Sequence, residues 1–133
     1  MKAILDTNVL VAAFTARGLC SELFERVLYD HDLIISQHLL TEFEEVLVRK
    51  FGFTAAKVEQ AVALLRRVGV MIEPVPLDRP VCRDPDDDLV LALAAHAGAD
   101  CIVTGDRDLL DLEKFQNVSI LSPRDFWLLE GRQ

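Results

Sequence analysis

Several features that often reveal function are scarce in this sequence. It has three cysteines, Cys20, Cys82 and Cys101, whose odd number and wide spacing match neither a disulfide framework nor a zinc or redox motif. We therefore expect reduced, mostly buried thiols. No apolar run approaches the roughly 18 residues that would span a bilayer. The start also lacks the long apolar segment of a signal peptide, because Asp6 interrupts it. These absences indicate a cytoplasmic protein without a membrane segment.

Positive charge is also scarce. The chain has 14 Lys and Arg against 22 Asp and Glu, for a formal net charge of −8. This balance argues against a protein that holds nucleic acid through a broad basic face. The main basic concentration is Arg49, Lys50, Arg66 and Arg67, and an ordinary helix surface explains it at least as well as nucleic-acid contact does. A polyanionic partner would require the acids to be neutralised first.

Short apolar runs alternate with amphipathic segments along the whole chain. The runs at residues 3–5, 33–35, 70–72, 101–103 and 118–121 predict strands, and helical periodicity lies between them. Residues 89–95 are apolar nearly all round, which is typical of a buried helix. Residues 109–115 predict a short helical turn. We find no linker or repeat, and the length suits one domain over residues 1–133. The alternation predicts an α/β fold of three layers, α/β/α, with a mostly parallel sheet of four to five strands.

Acidic residues follow two of the predicted strands directly. Asp6 ends the first strand, and Asp106 and Asp108 follow the strand at residues 101–103. Further acids lie at the head of the buried helix, in residues 84–88, and in the helix after Ser36. In parallel sheets, ligands bind at the carboxyl ends of strands. Two carboxylates about 4 Å apart repel by about 4 kcal/mol at an effective dielectric of 20. The convergence therefore predicts a divalent cation at this edge.

Each acid also has a simpler explanation when taken alone. Asp6 or Asp87 can cap a helix, and residues 106–108 can form a solvated turn. Among the three glutamates of the helix after Ser36, periodicity excludes Glu45, which points away from the core, but leaves Glu42 and Glu44 open. Position nearer the helix start modestly favours Glu42. Because several acids coincide at one edge, a shared cation-binding site explains them better than separate roles in helix caps and turns do.

Four segments in order resemble the PIN-domain ribonucleases, and most closely the VapC-like toxin branch of bacterial and archaeal toxin-antitoxin modules. They are residues 6–10, Ser36 with Glu42, residues 84–87 before the apolar helix, and residues 102–110. The resemblance extends through residues 120–126 and so covers essentially the whole chain. It implies a PIN fold with an acidic site that binds Mg²⁺ or Mn²⁺.

The resemblance also assigns roles to individual residues. It implies five catalytic acids, which are Asp6, Glu42, Asp87, Asp106 and Asp108, and it favours Glu42 over Glu44 and Asp87 over its acidic neighbours. Asp6, Asp87 and Asp106 are the expected metal ligands. Four polar neighbours match the family's supports for the acids or for a substrate phosphate, although Ser36 and Thr104 can equally be caps: Thr7, Asn8, Ser36 and Thr104.

The function that follows is hydrolysis of RNA by a metal-activated water, with a small antitoxin and a homodimer as implied partners. The dimer would use helix faces near residues 58–68. The alternative is a catalytically weak PIN domain that binds RNA or a partner. A metal-ligand pair of His38 and Glu42 is also conceivable, but no third histidine lies nearby. Asn8 argues against an aspartyl-phosphate enzyme, because haloacid-dehalogenase phosphatases have a second aspartate there.

Overall fold

The computed structural model describes residues 1–131, which form seven helices and six strands. In chain order they are β1 (Lys2–Leu5), α1 (Thr7–Thr15), α2 (Leu19–Asp30), β2 (Asp32–Ile35), α3 (Gln37–Phe51), α4 (Ala55–Val68), β3 (Val70–Met71), α5 (Pro85–Ala97), β4 (Cys101–Val103), α6 (Arg107–Leu110), β5 (Lys114–Phe115), β6 (Val118–Leu121) and α7 (Pro123–Glu130). The last two residues of the predicted domain lie outside the described range.

The strands form one sheet in the order β3-β2-β1-β4-β6-β5. All neighbouring pairs are parallel except β5 with β6. The mostly parallel sheet confirms the predicted fold class. The order reverses between β1 and β4, because the chain winds outward from β1 in one direction and from β4 in the other. The carboxyl ends of these two strands therefore meet at a topological switch point, where parallel sheets bind ligands.

One predicted element is different in the structure. The segment predicted as a helical turn over residues 109–115 is helical only to Leu110, and Lys114–Phe115 forms an added edge strand, the sixth of the sheet. The backbone reverses through Glu113 and Gln116, both with positive φ. This hairpin pairs β5 with β6. Its two-residue strand is too short to show an alternating pattern, so periodicity could not reveal it.

Apolar residues fill both faces of the sheet. One cluster joins α1, α2, α3 and α4 to the sheet, and the other places α5 against the opposite face. Residues 90–94 of α5 are all buried, as its apolar periodicity predicts. The layers are therefore helix, sheet and helix. Burial of such a side chain contributes about 1.5 to 3 kcal/mol, so the sheet edge that carries the acids rests on a rigid base.

The helix ends follow the polar and glycine signals in the sequence. The Ser36 hydroxyl accepts a hydrogen bond from the Leu39 N–H at 3.2 Å and so caps α3. Gly52 and Gly98 end α3 and α5 in the left-handed conformation, which glycine adopts without a side-chain clash. Over residues 1–131, no helix is long and apolar enough to cross a membrane. The three cysteines are free thiols, and Cys101 is buried.

Candidate active site

A cleft of about 600 Å³ opens at the carboxyl edge of β1 and β4. Its walls come from α1, α3, the start of α5 and the β4–α6 turn. Six acidic residues line it together with Thr7 and Asn8: Asp6, Glu42, Asp84, Asp86, Asp87 and Asp106. Four of the five predicted catalytic acids are therefore brought to one cleft by four different elements.

Asp6 is held at the end of β1 by two hydrogen bonds. Its Oδ1 accepts from the Thr7 N–H at 2.8 Å, and its Oδ2 accepts from the Thr104 hydroxyl at 2.8 Å. The residue caps α1, as the simpler explanation predicts, yet it also lines the cleft. Burial raises the pKa of the Asp6 carboxyl above its ordinary value, the two hydrogen bonds oppose this rise, and the charge of Asp106 adds to it.

Thr104 connects the acids of β1 and β4. Its fully buried hydroxyl donates to Asp6 and accepts from the Asp106 N–H at 3.0 Å. A hydroxyl can do both because it is one donor and two acceptors. The predicted supporting role of Thr104 is thus matched by a direct contact with one predicted metal ligand and with the backbone of another.

Asp87, Asp106 and Asp108 form the tightest group of carboxylates. Each offers one oxygen, and these oxygens lie within 4.8 Å of one another. Desolvation raises the pKa of Asp87 from 3.8 to about 7, and the next largest cause is the charge of Asp106. The surroundings of this carboxyl therefore favour its protonated form. A cation would replace that proton and relieve the repulsion.

The other acids of residues 84–88 have different contacts. Asp84 caps α5, accepting from the Asp86 N–H at 2.9 Å. Asp88 turns away and accepts from the Val81 and Cys82 N–H groups at 3.2 and 2.8 Å. Asp87 alone of this run is buried and faces Asp106. Burial and contact with Asp106 therefore single out Asp87, the acid of this run that the family resemblance also favours.

Glu42 and Glu44 lie on different surfaces of α3. Glu42 lines the acidic cleft, and the Thr7 hydroxyl donates to its Oε1 at 3.4 Å. Glu44 lies with Glu45 in a separate groove between α3 and α4. Burial raises the pKa of Glu42, and His38 opposes that rise. Of the two glutamates that periodicity left open, Glu42 is therefore the one that lines the acidic cleft.

His38 is closer to the acids than the sequence alone could show. Its Nε2 lies 3.1 Å from Glu42 Oε1 and 3.2 Å from Asp86 Oδ1. The spacing of four residues already places His38 and Glu42 on one helix face, but Asp86 comes from α5 and has no sequence signal. The imidazole therefore stands between two carboxylates at the rim of the site. These three side chains also have ligand atoms within 4.8 Å of one another.

Asp108 occupies the outer side of the site. It does not line the cleft, but it belongs to the tight carboxylate group, and its Oδ1 accepts from Arg83 Nη2 at 2.8 Å. Arg83 is an exposed residue that the sequence interpretation did not select. The pair joins the loop before α5 to the start of α6. The Arg83 guanidinium thereby neutralises part of the negative charge on the outer side of the site.

The two remaining predicted supports differ in position. Asn8 lines the cleft, and its Nδ2 lies 3.0 Å from where a β-carbon on Gly105 would stand. Glycine at 105 therefore permits the β4–α6 turn to approach Asn8 closely. Ser36 is buried and caps α3 without lining the cleft. It orients the helix that carries Glu42 and His38.

The donor set fits a hard divalent cation. Carboxylate oxygens are the ligands that Mg²⁺ and Mn²⁺ prefer, and Mg²⁺ usually binds one or two carboxylates and keeps several waters. Asp87 and Asp106 are close enough that one raises the pKa of the other, and Asp6 contributes to the same effect. The residues can therefore bind a divalent ion, and the described part of the chain supplies too little positive charge at this edge to neutralise them all.

Comparison with known proteins gives the same fold. A VapBC2 structure from Rickettsia felis, bound to a promoter DNA fragment, is 14% identical with a TM-score of 0.64, covering 92% of this chain and 98% of that one. VapC20 of Mycobacterium tuberculosis, described as a sarcin-ricin loop cleaving toxin, is 17% identical with a TM-score of 0.61, covering 88% and 98%. VapBC-1 from nontypeable Haemophilus influenzae is 16% identical with a TM-score of 0.62, covering 93% and 99%.

Comparison with curated protein sequences finds no match. A family model described as PIN domain matches residues 2–108, which include every acid of the cleft. The matched segment runs from β1 through the start of α6, and so spans both strands that meet at the switch point. On this match, with the fold and the acidic edge as described, the chain belongs to the PIN domain family.

Proposed function

We propose that this protein is a divalent-metal-dependent endoribonuclease and the toxin of a toxin-antitoxin module. The observation that carries the proposal is the convergence of Asp6, Asp87 and Asp106 in one cleft, with Asp108 completing the tight carboxylate group. At the rim, the His38 imidazole lies within 3.2 Å of the carboxylates of Glu42 and Asp86. A site of this composition binds a cation and, through it, a phosphate.

The chain's own residues hold the reacting groups. Asp6, Asp87 and Asp106 would bind Mg²⁺ or Mn²⁺, which when bound acidifies a water and stabilises charge on the phosphoryl oxygens. Thr104 fixes Asp6 and Asp106 relative to each other through its two hydrogen bonds. Glu42 lines the same cleft, where the Thr7 hydroxyl and the His38 imidazole hold its carboxylate in place. Asp108 supports the outer side through Arg83.

RNA is the proposed substrate because of the family and its similar structures. The M. tuberculosis relative is described as cleaving the sarcin-ricin loop, which is RNA. In-line attack by water on the phosphodiester gives a 5′-phosphate and a 3′-hydroxyl. This chemistry does not use the 2′-hydroxyl, so the preference for RNA must come from binding contacts and not from the acids.

The test is cleavage of end-labelled single-stranded RNA with Mg²⁺, Mn²⁺ or EDTA in parallel. We expect metal-dependent products with 5′-phosphate ends. Asp6→Asn removes the charge and keeps the side-chain shape with one of the two acceptor oxygens, so we expect a folded protein with activity reduced by at least about 100-fold. Asp78→Asn, on an exposed loop, is the matched control and should cleave like the wild type. Full activity in Asp6→Asn would refute the assignment.

The same assay distinguishes the catalytically weak alternative. Tight RNA binding with no turnover in any metal would favour a binding module. Growth arrest on induction of the wild type, and none with Asp6→Asn, would support the toxin role.

The antitoxin partner is inferred from similar structures. VapBC2, VapBC-1 and FitAcB are toxin-antitoxin pairs by name, and FitAcB from Neisseria gonorrhoeae has a TM-score of 0.58 at 14% identity. An arginine or lysine of such a partner would fit the acidic cleft. The homodimer, the cytoplasmic location and the single domain remain predictions, and light scattering tests the dimer directly.

A further inference from the structure

The acidic cleft continues beyond the acids to a second end of different chemistry. Its far wall is formed by Val46 and the last turn of α3, opposite Thr15 and Ala16 of α1. Lys50 and Phe51 lie at this end. Among the described residues that line the cleft, Lys50 is the one cation and Phe51 the one aromatic side chain.

The position of Lys50 separates it from the other basic residues of α3 and α4. Arg49 lies in the groove between these helices, and the Arg66 guanidinium donates to Gln37 Oε1 at 2.7 Å. Cations in the last turn of a helix are generally stabilising, which explains Arg49 and Lys50 equally. Helix stability does not explain why one of them lines the acidic cleft.

The side chain of Phe51 is half exposed, at 50%. A large aromatic ring left this open in a cleft gives a flat surface for stacking, and every nucleobase has a face that can stack on it. Val46, Val11 and Ala12 extend the apolar wall beneath it. An apolar wall with one aromatic and one cation suits a base and its phosphate.

The spacing along α3 relates the two ends. Glu42 and Lys50 are eight residues apart on one helix, which places their backbones about 12 Å apart along its axis. This distance exceeds one nucleotide, so a chain with its scissile phosphate at the acids would present a neighbouring nucleotide to the far end.

We propose that Lys50 and Phe51 form a flanking-nucleotide subsite: Phe51 stacks on an unpaired base of the RNA, and Lys50 pairs with a phosphate beside that base. This proposal rests on the proposed nuclease function and adds a contact that fixes where along the RNA the acids act. Lys50 also supplies positive charge at this end of the cleft, in a chain whose formal net charge is −8. The subsite selects single-stranded RNA, because a paired base is not free to stack on a side chain.

The first measurement is binding of a fluorescent single-stranded RNA in an Asp6→Asn background with Mg²⁺, by anisotropy. We expect Phe51→Ala to raise Kd about 5- to 150-fold, and Phe51→Trp to restore binding. Lys50→Gln should reduce the slope of log Kd against log salt by about 0.7, the loss of one phosphate contact on a single strand. Arg49→Gln, the neighbouring cation in the other groove, should change neither.

The second measurement separates the subsite from the acids. In the otherwise wild-type protein, Lys50→Gln and Phe51→Ala should raise KM for RNA several-fold more than KM for bis(p-nitrophenyl) phosphate, because this small diester has no flanking nucleotide to span the roughly 12 Å along α3. Thermal unfolding checks that each variant is folded. If the wild type cleaved neither RNA nor the small diester, the proposed nuclease function would be refuted. The RNA-binding measurement would still test the subsite.

Three results would overturn the subsite. Equal salt slopes for Lys50→Gln and Arg49→Gln would show that Lys50 does not contact a phosphate of the RNA. An unchanged Kd for Phe51→Ala would show that no base of the RNA stacks on Phe51. Unchanged RNA binding combined with lost inhibition by a co-expressed antitoxin would assign this end of the cleft to a protein segment instead.

Discussion

Replacing Asp87 with asparagine should stabilise the metal-free protein at neutral and alkaline pH. Asp87 is buried beside Asp106, with Asp84 and Asp6 nearby, and its pKa is raised from 3.8 to about 7, first by desolvation. A carboxyl with a raised pKa in the folded state stabilises the fold below its unfolded pKa. That contribution is lost as the pH rises through the folded pKa. The asparagine side chain carries no charge at any of these pH values, so the variant avoids the loss.

The magnitude follows from the pKa. A rise from 3.8 to about 7 corresponds to roughly 4 kcal/mol of unfolding free energy, at about 1.36 kcal/mol per pKa unit. The cleft is open to water, which screens the repulsion, so we expect about 1 to 2 kcal/mol. For a chain of this length that is a difference in Tm of about 3 to 8 °C between variant and wild type.

The assay is thermal unfolding by circular dichroism in EDTA at pH 5 and pH 8. The Tm of the wild type should fall relative to Asp87→Asn between these pH values. A smaller part of the difference should already be present at pH 5, because this pH lies above the unfolded pKa of 3.8 and below the folded pKa of about 7. The comparison uses the difference between the two proteins, so that pH effects common to both cancel. Asp78→Asn controls for loss of an acid on an exposed loop and should follow the wild type. Added Mn²⁺ should raise the Tm of the wild type at pH 8 but not that of Asp87→Asn, because the cation replaces the proton that Asp87 loses.

Two results would refute this reasoning. If Asp87→Asn were no more stable than the wild type at pH 8 in EDTA, the ionised Asp87 carboxylate would not lower the stability of the folded protein. If both proteins gained the same Tm from Mn²⁺, the ion would not use Asp87.

Two further substitutions test the supports of the site. Thr104→Val keeps the shape but removes the hydroxyl that joins Asp6 to the Asp106 N–H, so it should lower stability by about 1 to 3 kcal/mol and reduce RNA cleavage, whereas Thr104→Ser should retain most of both. Equal activity of the two variants would contradict the bridging role. Asp88→Ala removes the acceptor for two backbone N–H groups of the loop before α5 and should lower the Tm by several degrees, measured by the same unfolding assay, while metal-induced stabilisation persists.

Much of the fold could be predicted because each signal was local. The short apolar run Ala3, Ile4 and Leu5, ended by Asp6, predicts a buried strand, and Ser36 caps a helix through a bond to a residue three positions later. Because parallel strands end at one edge, Asp6 and Asp106 could be placed together before their neighbours were known. The edge strand β5 has no such local signal, since two residues cannot alternate.

The contacts that complete the site connect distant parts of the chain, and so they could not be predicted from local patterns. The bridge from Thr104 to Asp6 requires β4 to lie beside β1, an order that strand patterns do not specify. His38 meets Asp86 and Arg83 meets Asp108 only when α3, α5 and α6 are packed. Helix periodicity left Glu42 and Glu44 equivalent, and it could not tell which of the two cations in the last turn of α3 enters the cleft.

The central place of β1 in the sheet has a consequence for biosynthesis. Asp6 is made well before its partner Thr104, which lies 98 residues later, and β1 has one edge open until β4 emerges. At about 5 to 20 residues per second, this interval lasts about 5 to 20 s. A nascent chain therefore cannot assemble the acidic site while most of it is still being translated. The acidic site is therefore complete only near the end of synthesis, when β4 pairs with β1.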